Sequence, residues 1–352
     1  MSDWVFFPAG ATPARAAERP ATRAVQIWLW IVAAMVFAMV VVGGATRLTE
    51  SGLSFMEWKL VNGIIPPLDD ASWQAEFANY KRIPQFAQLF PDMDLAHFKF
   101  IFFWEWGHRL LGRLLGVVMA VPLLWFWATR QMSNALGVKL TGVLALGGLQ
   151  GFAGWWMVKS GLTERVEVSQ YRLAVHLLLA SVTFAALVWL ATGLRESPFR
   201  RGQEGLRGIA VGLAGLVLAQ IGMGALDAGL RAGMTYNTWP LMDGVFVPPL
   251  EHLARLSPLW TNFFENITTV QFQHRMTAYA VLALAVLQVA LAWRIGGGPL
   301  KRSAAIAGLA FCQAGLGIAT LLLAVPLWAG LAHQAVALLL LGMAVVHRRA
   351  LG

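Results

Sequence analysis

Apolar residues run almost unbroken through eight stretches of the chain, at about 25–44, 101–128, 138–158, 171–193, 207–226, 272–293, 303–323 and 327–347, with polar residues gathered between them. At 1.5 Å of rise per residue, each stretch is long enough to cross a hydrocarbon core of about 30 Å. Inside such a core only a helix satisfies its backbone polar groups within one segment, so the pattern predicts eight transmembrane helices. The first and fifth intervening segments, about 45–100 and 227–271, are long and rich in Trp and Phe. They are expected to form short amphipathic helices on the outer membrane surface.

Composition supports the same class. Of 352 residues, 58% are hydrophobic and 13% charged, where a soluble domain carries about a quarter charged. The net charge of +9 is spread in short clusters rather than one basic patch, which argues against nucleic acid as a partner. The lone Cys312 excludes a disulfide within the chain and makes thiolate metal sites a poor expectation. No small-x-small cleavage signal follows the first stretch, and no Arg- and Ser-rich presequence precedes it. A bacterial inner membrane is therefore expected over an organelle.

Charge also sets the expected topology. The N-terminal segment, alternate connections and the tail hold 14 basic residues, among them Arg15, Arg19, Arg200 and Arg201, against four acids. By the positive-inside rule both termini lie in the cytoplasm and the two long segments lie outside.

The sequence repeats itself. "WKLVNGIIPPL" (Trp58 to Leu68) is echoed by "WPLMDGVFVPPL" (Trp239 to Leu250). After each comes a span carrying His-Arg, at His108-Arg109 and His274-Arg275. A Gly- and Gln-bearing span follows at 147–154 and 311–319, then a span with one histidine near its start, His176 or His333. The expected fold is an all-α integral membrane protein of eight transmembrane helices. They form two tandem, pseudo-symmetric four-helix bundles, with halves at 1–200 and 201–352.

One histidine in each even-numbered span, all on the outer side, is the candidate chemistry. A single intramembrane histidine is commonly just hydrogen-bonded to a neighbouring helix, but four at matched positions of a duplicated unit are harder to dismiss. Two neutral imidazoles from facing helices hold a heme iron on both axial positions. The pairing His108 with His176, and His274 with His333, gives one heme site per half. His97 and His252 lie in the long segments, and His347 stands alone at the inner end of the last span. Arg47, Arg109, Arg172 and Arg275 sit at the same level, where guanidinium groups suit heme propionates, or equally lipid phosphate.

The halves differ at one chemically telling position. Aligning "EWGH" (Glu105 to His108) with "QFQH" (Gln271 to His274) sets Glu105 opposite Gln271, each on the helix face of its histidine. A glutamate at a partly desolvated site can exchange protons where a glutamine cannot. The first half is thus expected to host a reaction and the second an electron-transfer heme.

"GGATRLTESGLS" (Gly43 to Ser54), "WKLVNGIIPPL", "WEWGHRLLGR" (Trp104 to Arg113) and the His-Arg of the sixth span resemble the heme A synthase family over essentially the whole chain. The resemblance implies oxidation of the C8 methyl of heme O to a formyl group by successive hydroxylations. It implies heme b on His274 and His333, with Arg275, and substrate heme O near His108 and His176, with Arg47 and Arg109 the expected propionate partners. Glu105 matches the family's catalytic acid. Heme O synthase, cytochrome oxidase assembly factors and a second copy in a homo-oligomer are the expected partners. Some bacterial members carry a cysteine pair in the outer segments; this chain is similar to the cysteine-free branch of proteobacteria and mitochondria. The alternative from the residues alone is a quinol-linked di-heme b electron carrier, which explains the histidines but not the Glu105/Gln271 difference.

Overall fold

All eight apolar stretches are helical, and their charge-poor lengths are sufficient to cross a membrane. The computed structural model describes residues 21–56, 63–162, 166–195 and 203–352. Arg15, Arg19, Arg200 and Arg201, the expected boundary at 200, and residues 58–62 of the first repeated motif lie outside the described residues. The spanning helices are α1 (Arg23–Leu48), α2 (Leu95–Ala128), α3 (Asn134–Lys159), α4 (Gln170–Gly193), α5 (Glu204–Gly229), α6 (Ile267–Trp293), α7 (Gly297–Leu322) and α8 (Leu327–Ala350).

Polar caps set several of these boundaries. Asp94 accepts the backbone N–H of His97 (2.8 Å) and starts α2 six residues before its apolar stretch. Ser133 does the same for α3 and Asn266 for α6, each satisfying a donor that the helix itself leaves open. At 34 residues α2 is about 50 Å long, so its first turns project beyond the apolar slab. Pro122 lies inside α2 without ending it.

Within the first four helices, α1 packs on α2 and α4, and α3 on α2 and α4, closing a ring. The second four close an identical ring, α5 on α6 and α8, and α7 on α6 and α8. The rings join where α4 meets α5 and α8, and where α1 meets α8. Lipid is as apolar as a leucine side chain, so close packing rather than water exclusion must hold these contacts. Gly44 of α1 illustrates it: a Cβ there would collide with Gln334 of α8, whose amide donates to the Val40 carbonyl at 3.0 Å. A large apolar core, including Leu29, Leu140, Leu187, Leu213 and Ile306, all without measurable exposure, fills the interior among these helices.

The long connections before α2 and α6 emerge on one side, the loop side. Each begins alike: a left-handed residue, Glu50 (φ 56°) or Arg231 (φ 51°), and then a 3-10 turn, Ser51–Leu53 or Ala232–Met234. Both contain short helices, as expected, among them Asp70–Tyr80 and Pro84–Leu89 in the first and Leu250–Leu253 in the second. Asp69 caps the Asp70–Tyr80 helix through the N–H and hydroxyl of Ser72, bonds that hold its carboxyl below the usual range. That helix packs Trp73, Phe77 and Tyr80 onto Phe98 and Phe102 at the start of α2, with ring centroids 5.0–6.5 Å apart. The Tyr80 hydroxyl donates to Gln85 (3.0 Å), and burial, with Glu50 nearby, pushes it well above its ordinary range. It therefore stays a neutral donor.

Phe98 is fully buried at the centre of this aromatic cluster. Phe98→Ala is expected to cost about 3–5 kcal/mol and to free the 70–90 segment. Limited proteolysis should then cut there faster, with the spanning helices intact.

Candidate functional site

The four candidate histidines sit in α2, α4, α6 and α8, on the loop side of each helix, and each packs against a glycine of the preceding helix. A Cβ on Gly43 would stand 3.1 Å from His108 Nε2, and one on Gly154 3.0 Å from His176 Cε1. On Gly224 it would lie 3.1 Å from His274 Cε1, and on Gly317 2.8 Å from His333 Cε1. A side chain at any of the four glycines would push its imidazole aside.

One turn before three of these glycines stands a glutamine. Gln150 Nε2 lies 3.1 and 3.2 Å from the two ring nitrogens of His176 and donates to its carbonyl oxygen (3.1 Å). Gln220 repeats this on His274, at 3.2, 3.3 and 2.9 Å. Gln313 Nε2 lies 3.3 Å from His333 Nε2. In α1 the same place is taken by Met39, whose methyl packs at Gly112. The sequence pattern Gln-x-x-x-Gly marks α3, α5 and α7; the Gly- and Gln-bearing segments of α3 and α7 were legible, the α5 copy was not.

His274 and His333 face one another with ring centroids 6.5 Å apart and planes at 70°. Two metal–nitrogen bonds of about 2.0–2.1 Å plus two ring radii come to about 6 Å. The pair therefore fits one metal atom between the rings. His176 lies within electrostatic range of His108.

Glu105 is buried, 3% exposed, and accepts from Arg109 Nε at 2.6 Å. Its other oxygen lies 3.9 Å from His108 Nδ1. Arg109 also donates to the Phe55 carbonyl (2.6 Å) and lies over the Phe55 ring, 4.5 Å from its centroid. The second half copies the frame: Arg275 donates to the Tyr236 carbonyl (2.8 Å) and to Gln271 Oε1 (3.3 Å). Gln271 in turn donates to Ala232 (2.9 Å). The scaffold is shared; the carboxylate belongs to the first half and the amide to the second.

A carboxylate unremarked in the sequence lies near the second site. Asp227 of α5 is within electrostatic range of Arg275, as are Tyr279 and Asp243, and its Oδ1 is buried without a partner. Its counterpart beside the first site is Thr46. The second half thus has an acid too, but on the helix facing its histidine rather than on the histidine's own helix.

Arg47 is engaged in ion pairs. It pairs with Glu50 (3.1 Å) and Glu167 (2.7 Å), and Arg231 of the second half pairs with Glu50 (2.6 Å) and also with Glu167. These four residues form a charge-balanced clasp linking the two rings on the loop side. Arg172 donates to the Trp156 carbonyl (2.6 Å) and lies over its ring. His347 is fully buried between Arg302 (3.3 Å) and Ser303 (3.4 Å), far along α8 from His333.

The COX15-CtaA family model, described as cytochrome oxidase assembly protein, matches residues 26–345. The chain belongs to this family. A protein named heme A synthase from Beijerinckia indica is 60% identical to it, with 98% of this chain and 97% of that protein covered. Proteins of the same name from a Methylobacterium species and from Allorhizobium ampelinum are 53% and 52% identical, over 99% and 93% of the chain and 98% and 90% of their own lengths. The resemblance seen in the sequence motifs therefore extends across the whole family match.

Glu167→Gln takes a negative charge from between Arg47 and Arg231. The clasp is partly exposed, so screening limits the effect to a fall of about 1 kcal/mol. Thermal unfolding of detergent-solubilised protein should show this fall, and it should shrink as salt is raised.

Proposed function

We propose that the chain is a heme A synthase, oxidising the C8 methyl of heme O to a formyl group by successive hydroxylations. The observation that carries this reading is the shared frame with one exchanged group: Glu105–Arg109–His108 in one half, Gln271–Arg275–His274 in the other. A plain electron carrier needs two equivalent histidine cradles, and it gives no reason for a carboxylate on the histidine's own helix in one half and an amide at that place in the other. The names of the relatives support the same activity.

In this reading the halves divide the work, the first taking substrate heme O at His108 and His176, the second holding heme b at His274 and His333. The 6.5 Å between the latter rings supports that placement. A bound heme b supplies one-electron transfer to the first half. His108 and His176 orient the substrate, and Glu105 accepts or returns a proton beside it. Arg109 holds Glu105 by one oxygen, leaving the oxygen that faces His108 available. Arg109 and Arg275 would meet propionates only by sharing donors now given to carbonyls, and Arg47 only by loosening the clasp. The membrane is the bacterial inner membrane, with the loop side toward the periplasm. Heme O synthase supplies the substrate, and cytochrome oxidase assembly factors receive the product; a homo-oligomer is compatible with both.

Glu105→Gln makes the first half resemble the second. It is expected to keep bound heme while heme A formation falls about 10²-fold or more, read by extracting and identifying the porphyrins. Normal heme A formation in this variant would remove Glu105 from the mechanism.

A further inference from the structure

Among the described residues, the side-chain oxygens of Gln150, Gln220 and Gln313 share one peculiarity: each is buried and has no hydrogen-bond partner. An orphaned buried acceptor costs about 1–3 kcal/mol, and here it recurs three times at equivalent places, each beside an imidazole. At His333 the glutamine lies at Nε2 (3.3 Å) while Nδ1 is buried and unpartnered, so one ring nitrogen is engaged and the other is open. An imidazole that gives one ring nitrogen to a metal carries its proton on the other, which becomes a donor in need of an acceptor. The hydrogen-bonding side chain at His176 and at His274 is the glutamine. At His333 it is Gln313.

We propose that Gln150, Gln220 and Gln313 are positioning residues whose amide oxygens accept the imidazole N–H turned away from iron, and that Glu105 takes this duty for His108. In α4 and α6 the amide nitrogen anchors on the carbonyl of the very histidine it serves. The same nitrogen also lies at the ring nitrogens, and a turn of the amide about its carbonyl anchor puts the unpartnered oxygen at the ring proton instead. The glycine four residues on gives the ring its room, and the glutamine gives it its direction. On α1 Met39 offers no acceptor, and the polar group at the His108 ring is Glu105, 3.9 Å from Nδ1. Three histidines thus have a neutral amide partner and the fourth an ionisable one. A carboxylate draws the ring proton more strongly than an amide does, so His108 would donate more electron density to iron than its three counterparts.

The inference rests on reading His274 and His333 as iron ligands, and the test separates the two. Purified full-length protein is compared as wild type, Gln313→Met, Gln313→Glu, Gln220→Met and Gln220→Glu. Ferric low-spin electron paramagnetic resonance and spectroelectrochemical titration of the bound heme provide the readout. Removing the acceptor with Met weakens ligand donation and should raise the midpoint potential. Glu strengthens donation and should lower it, with heme content retained in at least the Glu forms. Opposite shifts support the proposal, because a packing defect moves both substitutions the same way. Unchanged potentials, or shifts of one sign, overturn it. In protein produced without heme O, so that heme b is the bound heme, His333→Ala must abolish the low-spin signal; if the signal persists, the iron-ligand reading itself fails, whatever the glutamine variants show.

Discussion

An imidazole inside a lipid bilayer needs room and direction, and neighbouring helices must supply both. Here a glycine on the preceding helix provides the room four times, at Gly43, Gly154, Gly224 and Gly317. Everything else about the loop-side chemistry depends on that close approach of α1 to α2, α3 to α4, α5 to α6 and α7 to α8. Because the contact is steric, it tolerates no added side chain. Because it recurs, each of the four histidines is held against a glycine of the helix before it, and His274 and His333 stand with ring centroids 6.5 Å apart.

Duplication explains the shared frame, and divergence the function. Gly43 answers to Gly224, Glu50 to Arg231 and Phe55 to Tyr236, each pair in the same local conformation or contact. Glu50 and Arg231 show how a repeat can be put to use: placed at equivalent left-handed positions, they carry opposite charges and meet across the junction of the two rings. A partly exposed ion pair is weak evidence for stability, since solvent screens its attraction. The clasp is better understood as fixing how one ring sits on the other. Glu105 and Arg109 are instead a buried pair, in which the arginine neutralises a carboxylate that would otherwise be costly to bury.

The spans were legible because lipid imposes a single composition on every segment that crosses it. The histidines and the Glu105/Gln271 exchange were legible because the repeat aligned them. What escaped the sequence was set by groups outside the apolar pattern or far apart along the chain. Asp94 caps α2 upstream of its greasy run, so hydropathy placed the helix start late. Gln220 and Asp227 lie in α5, whose pattern is otherwise that of any Gly- and Leu-rich span. The partners of Arg47 and Arg231 are up to 181 residues away, and no local spacing announces them. The protein partners of Arg109, Arg275 and Arg47 are carbonyls and carboxylates of other segments, because a guanidinium group near a low-dielectric region takes the nearest acceptor.

The central claim is that one chain builds two tetrapyrrole sites of unlike chemistry, one resident and one reactive. The direct measurement is the identity of the porphyrins extracted from protein purified with heme O available, in wild type and in His274→Ala. The account predicts heme b together with heme O or its oxidised products in wild type, and selective loss of heme b in the variant. Heme b alone in wild type, halved rather than lost in His274→Ala, would contradict it.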